Sequence, residues 1–184
     1  MRAGSTCLAV TSLAVLAGCS AGGSATPTAP ATSPPPVATL SSPPQPVALP
    51  PVPTPGPAGA CPYLPSRAAA DLNGQLVATV RLDPAYDPPA CFFLIGNGSV
   101  QLSVWVFRAA SPAQASAAVN RAAPIATSGP ADRPSGWTGG RSGGPTGAVY
   151  AVAKGAAAVV VTTNQDQSIK AQLVAERVIG TLGL

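Results

Sequence analysis

Residues 91–109 read CFFLIGNGSVQLSVWVFRA, and this stretch decides the fold class of the chain. Two apolar runs, 91–95 and 100–109, flank the sequence Gly-Asn-Gly-Ser, which is typical of a turn between antiparallel strands. In the second run, small aliphatic side chains alternate with the rings of Trp105 and Phe107. Since successive side chains of a strand point to opposite faces, both faces of this strand are apolar. The stretch therefore predicts a hairpin whose second strand lies inside an antiparallel sheet.

Three helices are predicted around this hairpin. The first covers 67–72, after a Ser66 cap, and ends at Asn73-Gly74. The second covers 111–123 and opens on Ser111-Pro-Ala-Gln114, the Ser-x-x-Gln form of a capping box. The third runs from a cap at Asn164 or Gln167 to about Gly180. Its inward positions are expected to be Ile169, Leu173 and Val178.

Further strands are predicted at 75–82, 148–153 and 156–163, the last two paired across Lys154-Gly155. In the first of these, alternate positions from Leu76 to Leu82 are apolar. Residues 124–147 resemble a long glycine- and proline-rich loop. The order α-β-β-β-α-β-β-α predicts an α+β fold, in which an antiparallel sheet of about five strands is covered by helices.

The amino terminus has the features of an exported lipoprotein. Arg2 precedes a short apolar core, Leu8–Leu16, which is too short to cross a bilayer as a helix. Leu16-Ala-Gly-Cys19 matches the lipobox, in which small residues precede a cysteine that accepts diacylglycerol. We expect a signal peptide at 1–18 and lipidation of Cys19 by acyl chains such as palmitate. The alternative is an ordinary secretory leader that contains a cysteine by chance.

Residues 20–60 are rich in proline, and no charged residue lies between Arg2 and Arg67. Such a segment buries too little apolar surface to offset the entropy of ordering it. We therefore expect residues 19–60 to form a lipidated, disordered tether, open to O-glycosylation. The globular domain is expected to comprise residues 61–184.

Two cysteines remain for the domain, Cys61 and Cys91. In an oxidising compartment an even pair of cysteines favours a disulfide. The alternative is a pair of metal ligands, but the chain contains no histidine and the spacing does not fit a zinc site. We expect a disulfide and no metal.

Few residues offer chemistry. Without histidine the usual general base near neutral pH is absent, so we expect no catalytic residues, no cofactor and no enzyme activity. Asp83 and Asp87 form either a carboxylate pair, with weak cation binding, or ordinary turns, and a cleft that also gathered Asp132 would favour an enzyme. The glycines at 139–144 lack the phosphate-binding pattern. The scattered basic residues, in a chain of formal net charge +4, argue against nucleic acid.

The loop at 124–147 contains Arg133, Trp137 and Arg141. Loops of this length are uncommon unless they are functional or disordered, and tryptophan with arginine is the usual composition of binding hot spots. One hypothesis is a binding loop formed by these three residues. The other is that Trp137 folds back as a lid over the edge of the sheet.

Three motifs resemble a known family: Cys61-Pro-Tyr-Leu64, Pro88-Pro-Ala-Cys-Phe-Phe93, and Gly147-Ala-Val-Tyr150 through Val161-Thr-Thr-Asn-Gln165. They are similar to actinobacterial lipoproteins known as domain of unknown function twenty-twenty, and the resemblance covers 61–184. The layout also resembles that of envelope lipoproteins with a PsbP-like sandwich, in which a disulfide holds an early helix. These resemblances imply a fold and a location, and no activity or substrate.

The expected function is that of a non-catalytic binding module, anchored by its acyl chains to the outer face of the cytoplasmic membrane. Besides the membrane, its expected partner is an envelope protein or a wall component. The alternative is a carrier of an apolar or lipid ligand, which the many alanines and valines on sheet and helices suggest. A large dry cavity would favour the carrier, and a filled core would favour the binding module.

Overall fold

The computed structural model describes residues 47–184, which form three helices and one open sheet of seven strands. The helices are α1 (Ser66–Asn73), α2 (Pro112–Ala122) and α3 (Ser168–Leu182). The strands are β1 (Thr79–Asp83), β2 (Ala90–Leu94), β3 (Val100–Arg108), β4 (Gly129–Ala131), β5 (Thr138–Ser142), β6 (Ala148–Lys154) and β7 (Ala157–Thr163). Their order is β1-β2-β3-β7-β6-β5-β4, with every neighbouring pair antiparallel. The predicted α+β class is confirmed.

The hairpin at 91–109 forms as predicted, and β3 lies between β2 and β7 in the interior of the sheet. The side chains on the two faces of β3 belong to two different hydrophobic cores. Leu102, Val104 and Val106 pack towards α1 and α3, whereas Trp105 and Phe107 belong to the core on the opposite face. The sheet is therefore the middle layer of three, with α1 and α3 on one side and α2 on the other.

The predicted cap of α2 is present, with the Gln114 side chain returning to the amide before the Ser111 N-cap and not to the Ser111 amide of a regular capping box. The Ser111 side chain accepts a hydrogen bond from the Gln114 amide at 3.2 Å, and the Gln114 side chain accepts one from the Ala110 amide at 2.8 Å. At α1 the residue before the helix is Pro65 rather than Ser66, because Ser66 is already helical. That helix ends, as predicted, at Gly74, whose positive φ of 75° suits glycine.

The predicted number of strands is wrong, because residues 124–147 are not one loop. They contain β4 and β5, which pair with each other and extend the sheet beyond β6. The alternation of side chains does not reveal β5, because glycines occupy two of its positions. A Cβ at Gly139 would lie 2.0 Å from the Ala151 carbonyl oxygen, and one at Gly140 would lie 2.9 Å from the Ala123 Cβ.

The predicted inward-facing residues of β1 and α3 are also wrong in part. The strand expected at 75–82 begins only at Thr79, and the Leu76 side chain is 88% exposed. In α3, Val178 is buried as predicted, but Ile169 and Leu173 lie towards solvent. The buried stripe of α3 is instead Ala171, Val174, Ala175, Val178 and Ile179. The helix is rotated so that this stripe faces α1 and the sheet, and the size of an apolar side chain therefore does not mark the inner face of α3.

Residues 47–60, which the sequence analysis assigned to the tether, lie along the domain instead. We call this segment the strap. It makes hydrogen bonds to β1, to the β1–β2 loop and to α2. Prolines alone predict an unfolded spacer, but side chains and β1 backbone groups distant in sequence pair with the amides and carbonyls of this segment and hold it in place. Among residues 47–184, no helix has the length and apolarity needed to cross a membrane.

Candidate functional site

The strap covers a part of the sheet that no helix covers. On this face α2 packs over β5, β6 and β7, and the strap residues Leu49, Val52 and Pro53 lie over the remaining area. Beneath and beside the strap are aromatic rings from β3 and the β1–β2 loop and polar side chains from α2. We call this set the aromatic groove; its members are Tyr86, Trp105, Phe107, Gln114 and Arg121.

The aromatic rings of the groove form one continuous surface. Trp105 and Phe107, two residues apart on β3, lie on the same face and stack at a centroid distance of 5.0 Å. Tyr86 meets Trp105 edge to face at 5.4 Å. The Arg121 guanidinium lies over the Trp105 ring, 5.4 Å from its centroid, a favourable cation–π arrangement. Arg121 is thereby oriented towards the strap.

Three side chains of the groove donate hydrogen bonds to carbonyl oxygens of the strap. Gln114 Nε2 lies 2.8 Å from the Ala48 oxygen, and Arg121 Nη1 lies 2.6 Å from the Pro50 oxygen. The Tyr86 hydroxyl lies 2.5 Å from the Pro51 oxygen. Gln114 and Arg121 are seven residues apart on α2, about two turns, and so reach the same side of the helix. The strap is recognised here through its backbone acceptors and apolar side chains.

The other end of the strap pairs with the edge strand β1. The Gly56 amide donates to the Leu82 oxygen, the Leu82 amide to the Pro57 oxygen, and the Gly59 amide to the Val80 oxygen. A Cβ at Gly56 would lie 2.6 Å from the Leu82 oxygen, so this close approach requires glycine. The Arg81 guanidinium donates to the Gly56 oxygen at 2.9 Å. This pairing also protects the edge of the sheet.

Asp83 acts as a turn former and also holds the strap. One carboxylate oxygen accepts from the Ala85 amide at 3.1 Å, and the other accepts from the Thr54 amide at 2.9 Å. Burial, then the nearby Asp83 charge, raises the pKa of the Tyr86 hydroxyl, while Arg121 lowers it. The hydroxyl therefore stays protonated and able to donate at neutral pH. Within residues 47–184, no three histidine, cysteine or acidic side chains are grouped as a metal site.

An apolar crevice of about 70 Å³ remains between the strap and the sheet. Its lining includes Val52 and Pro53 of the strap and Phe92, Trp105 and Val160 of the sheet. Trp105 is only 6% exposed, and its Nε1 is buried without a hydrogen-bond acceptor among the described residues. Because a buried N–H normally has a partner, this donor is an exception in the domain.

The sequence-predicted binding loop is divided between core and surface. Trp137 is 2% exposed and lies in the core beneath α1 and α3, as the lid hypothesis expected. The Tyr150 hydroxyl holds the loop down by accepting from the Arg133 amide at 3.0 Å and donating to the Arg133 oxygen at 2.8 Å. Arg133 and Arg141 are exposed. The three residues therefore do not form an exposed aromatic anchor flanked by charges.

The predicted disulfide between Cys61 and Cys91 is present, with the two Cα atoms 5.7 Å apart. It joins the end of the strap to β2. Next to it, the buried Tyr63 hydroxyl lies 2.9 Å from the Pro89 oxygen and 3.1 Å from the Val104 oxygen, and burial raises its pKa. The bridge and Tyr63 thus fix the point at which the strap enters the domain. Cys19 lies outside the described residues.

A cluster of polar side chains outside the groove holds α1 and α3 in place. Asn73, Gln101 and Thr163 are buried, and the Asn73 side chain bonds to both of the others. Lys170 of α3 donates to the Asn73 carbonyl at 3.0 Å and to Gln165 at 2.8 Å, so α3 covers the end of α1. These groups satisfy one another, and the cluster therefore fastens α1 and α3 to β3 and β7.

The comparison with protein families identifies one model, described as Domain of unknown function (DUF2020), that matches residues 46–184. The chain belongs to this family. The DUF2020 match begins at residue 46, so the strap is part of the family's domain, in agreement with its position on the sheet. Among curated proteins no match is found.

The sequence analysis did not identify the groove of this DUF2020 domain. Gln114 was recognised as a capping residue, and Trp105 and Phe107 as strand residues, but their common contact with the strap was not predicted. One available signal was the continued presence of Val47, Leu49 and Val52 among the prolines up to Cys61. Apolar side chains at these positions distinguish the strap from a purely solvated spacer.

Proposed function

We propose that this protein is a membrane-anchored lipoprotein of the bacterial envelope and that its domain is a non-catalytic binding module. The proposal places Cys19, acylated, at the outer face of the cytoplasmic membrane of an actinobacterium and extends the fold likeness to PsbP-like envelope lipoproteins. The Cys61–Cys91 disulfide supports an exported protein, because such bridges persist in oxidising compartments.

The aromatic groove carries the proposal of a binding module. It combines stacked aromatic rings with an arginine and a glutamine whose donors face an extended segment. Aromatic and arginine side chains dominate the energetics of protein interfaces. The carrier hypothesis receives no such support. The crevice under the strap holds only about 70 Å³, below the roughly 300–1,000 Å³ of ligand pockets. The larger pocket of about 420 Å³ beside Tyr86 and Phe107 opens to solvent and is not the dry internal cavity that a carrier would need.

The anchor is tested by Cys19→Ala, which removes the thiol that accepts diacylglycerol. We expect the variant to appear in the medium or to remain unprocessed, because without acyl chains the mature chain loses its membrane affinity. Cell fractionation with mass measurement of the mature protein checks this result. Cys7→Ala is the matched control, since Cys7 lies within the predicted leader, and it should leave anchoring unchanged. Membrane retention of Cys19→Ala with the wild-type mature mass would refute the lipobox.

The binding module is tested by photo-cross-linking in living cells. A photoreactive residue at Ala85, exposed beside Tyr86, is expected to capture a partner. The same residue at Leu173, exposed on α3 at the opposite face, is the control and should capture much less. Adducts formed equally at both positions, or at Leu173 alone, would contradict a partner at the groove.

A further inference from the structure

The strap shows which ligand chemistry the groove accepts. Proline carries a carbonyl acceptor but no N–H, and an extended proline-rich segment presents its carbonyls without internal hydrogen bonds. The groove supplies the complement, with donors from Gln114, Arg121 and Tyr86 and a surface of aromatic rings. Grooves that bind polyproline segments elsewhere use the same combination of aromatic lining and preformed ligand. The ligand does not need to be charged, because the guanidinium of Arg121 is already paired with a strap carbonyl and an aromatic ring.

The strap is held in a way that permits its displacement. Every residue from 47 to 60 is exposed or half-buried, so the segment buries little surface for its length. The backbone pairing of Gly56 to Gly59 with β1 is a separate attachment, which lies outside the groove. The groove end can therefore separate from the sheet while the disulfide keeps the strap attached to the domain.

The strap also satisfies the groove incompletely. The crevice beneath Val52 and Pro53 is lined by Trp105, whose buried Nε1 has no acceptor among the described residues. A different extended segment that places a carbonyl at this donor would gain a hydrogen bond that the strap does not make. The strap of a second copy would leave the same donor unpaired, because its sequence is identical. The unpaired donor thus favours a segment from another protein over exchange of straps between copies.

We propose that the aromatic groove binds an uncharged, proline-rich segment of another exported protein in the polyproline conformation, and that residues 47–53 occupy the groove until that partner displaces them. This inference rests on the proposed function, a module that binds a partner, and names the chemistry of that partner. The strap then acts as an internal competitor. The apparent affinity for the partner is the affinity of the open groove multiplied by the fraction of molecules in which the groove is open.

Decaproline is the probe, titrated by calorimetry into the full mature chain with Cys19→Ser in place of the lipidated cysteine. Gly56→Val is expected to release the strap, since its side chain would clash with the Leu82 carbonyl, and to raise decaproline affinity about tenfold or more. Gly96→Val is the matched control, because a Cβ there meets nothing within 4 Å, and it should not change the affinity. Should Gly56→Val fail to fold, Thr54→Pro removes the amide donor to Asp83 without a clash at β1.

Trp105→Phe in the released chain tests the unpaired donor. This change keeps an aromatic ring but removes the indole N–H, and we expect decaproline affinity to fall about threefold to tenfold with the fold retained by circular dichroism. Equal decaproline affinity in the released and unreleased chains, or no binding to a folded released chain, would overturn the inference. So would a strap-exchanged dimer of the released chain, detected by light scattering.

The two levels of the proposal fail separately. If decaproline does not bind but Ala85 captures a partner in cells, the module binds at the groove and the polyproline chemistry is wrong. If decaproline binds and no partner is captured at Ala85, the chemistry stands and the proposed function in the envelope fails.

Discussion

Trp137→Ala is expected to lower the free energy of unfolding by about 3–5 kcal/mol, the usual range for truncating a buried aromatic side chain. The physical reason is burial: Trp137 is 2% exposed and lies in the core with Tyr150 and Val152. Its removal leaves a cavity that the surrounding β-strands can close only in part. Urea denaturation of the full chain with Cys19→Ser, monitored by circular dichroism, measures the change.

Arg141→Ala is the control for Trp137→Ala. Arg141 belongs to the same predicted loop but is exposed, so its truncation should change stability by less than about 0.5 kcal/mol. A loss below about 1 kcal/mol for Trp137→Ala, together with weaker partner capture, would restore the binding-loop hypothesis. Such a result would place the tryptophan at the surface rather than beneath the helices.

Loss of the Cys61–Cys91 bridge is expected to have a similarly large effect. The bridge joins residues 30 apart, and the chain-entropy model assigns such a loop about 3.7 kcal/mol of stability. The double variant Cys61→Ala/Cys91→Ala should lose about this amount in urea denaturation. Because the bridge also holds the entry point of the strap, faster proteolysis within residues 47–60 is expected as well.

Reduction provides the control for this variant. Dithiothreitol should destabilise the parent chain by a similar amount and leave the double alanine variant unaffected, since that variant has no bridge to reduce. The native mature protein should weigh two daltons less than its fully reduced form, the mass of two hydrogens. Two free thiols at Cys61 and Cys91 in protein exported under native conditions would refute the bridge in the cell.

Local patterns determined several elements of this fold. The alternation along β3, the turn at Gly96–Ser99 and the Ser111 cap of α2 are interactions between residues close in sequence, and all three were predicted correctly. The β6–β7 hairpin is similar, because Gly155 adopts a positive φ of 55° at its turn. Local sequence was sufficient where the partner of each group lies within a few residues.

The sequence by itself therefore determined the α+β class, the central hairpin, the three helices and the candidate cysteine pair. Only the tertiary structure decided that β4 and β5 join the sheet, that Trp137 is buried, and that the strap lies over the aromatic groove. The physical reason is that these features depend on partners distant in the chain. Gly139 has no room for a side chain because of Ala151, and the strap carbonyls find their donors on α2 and the β1–β2 loop.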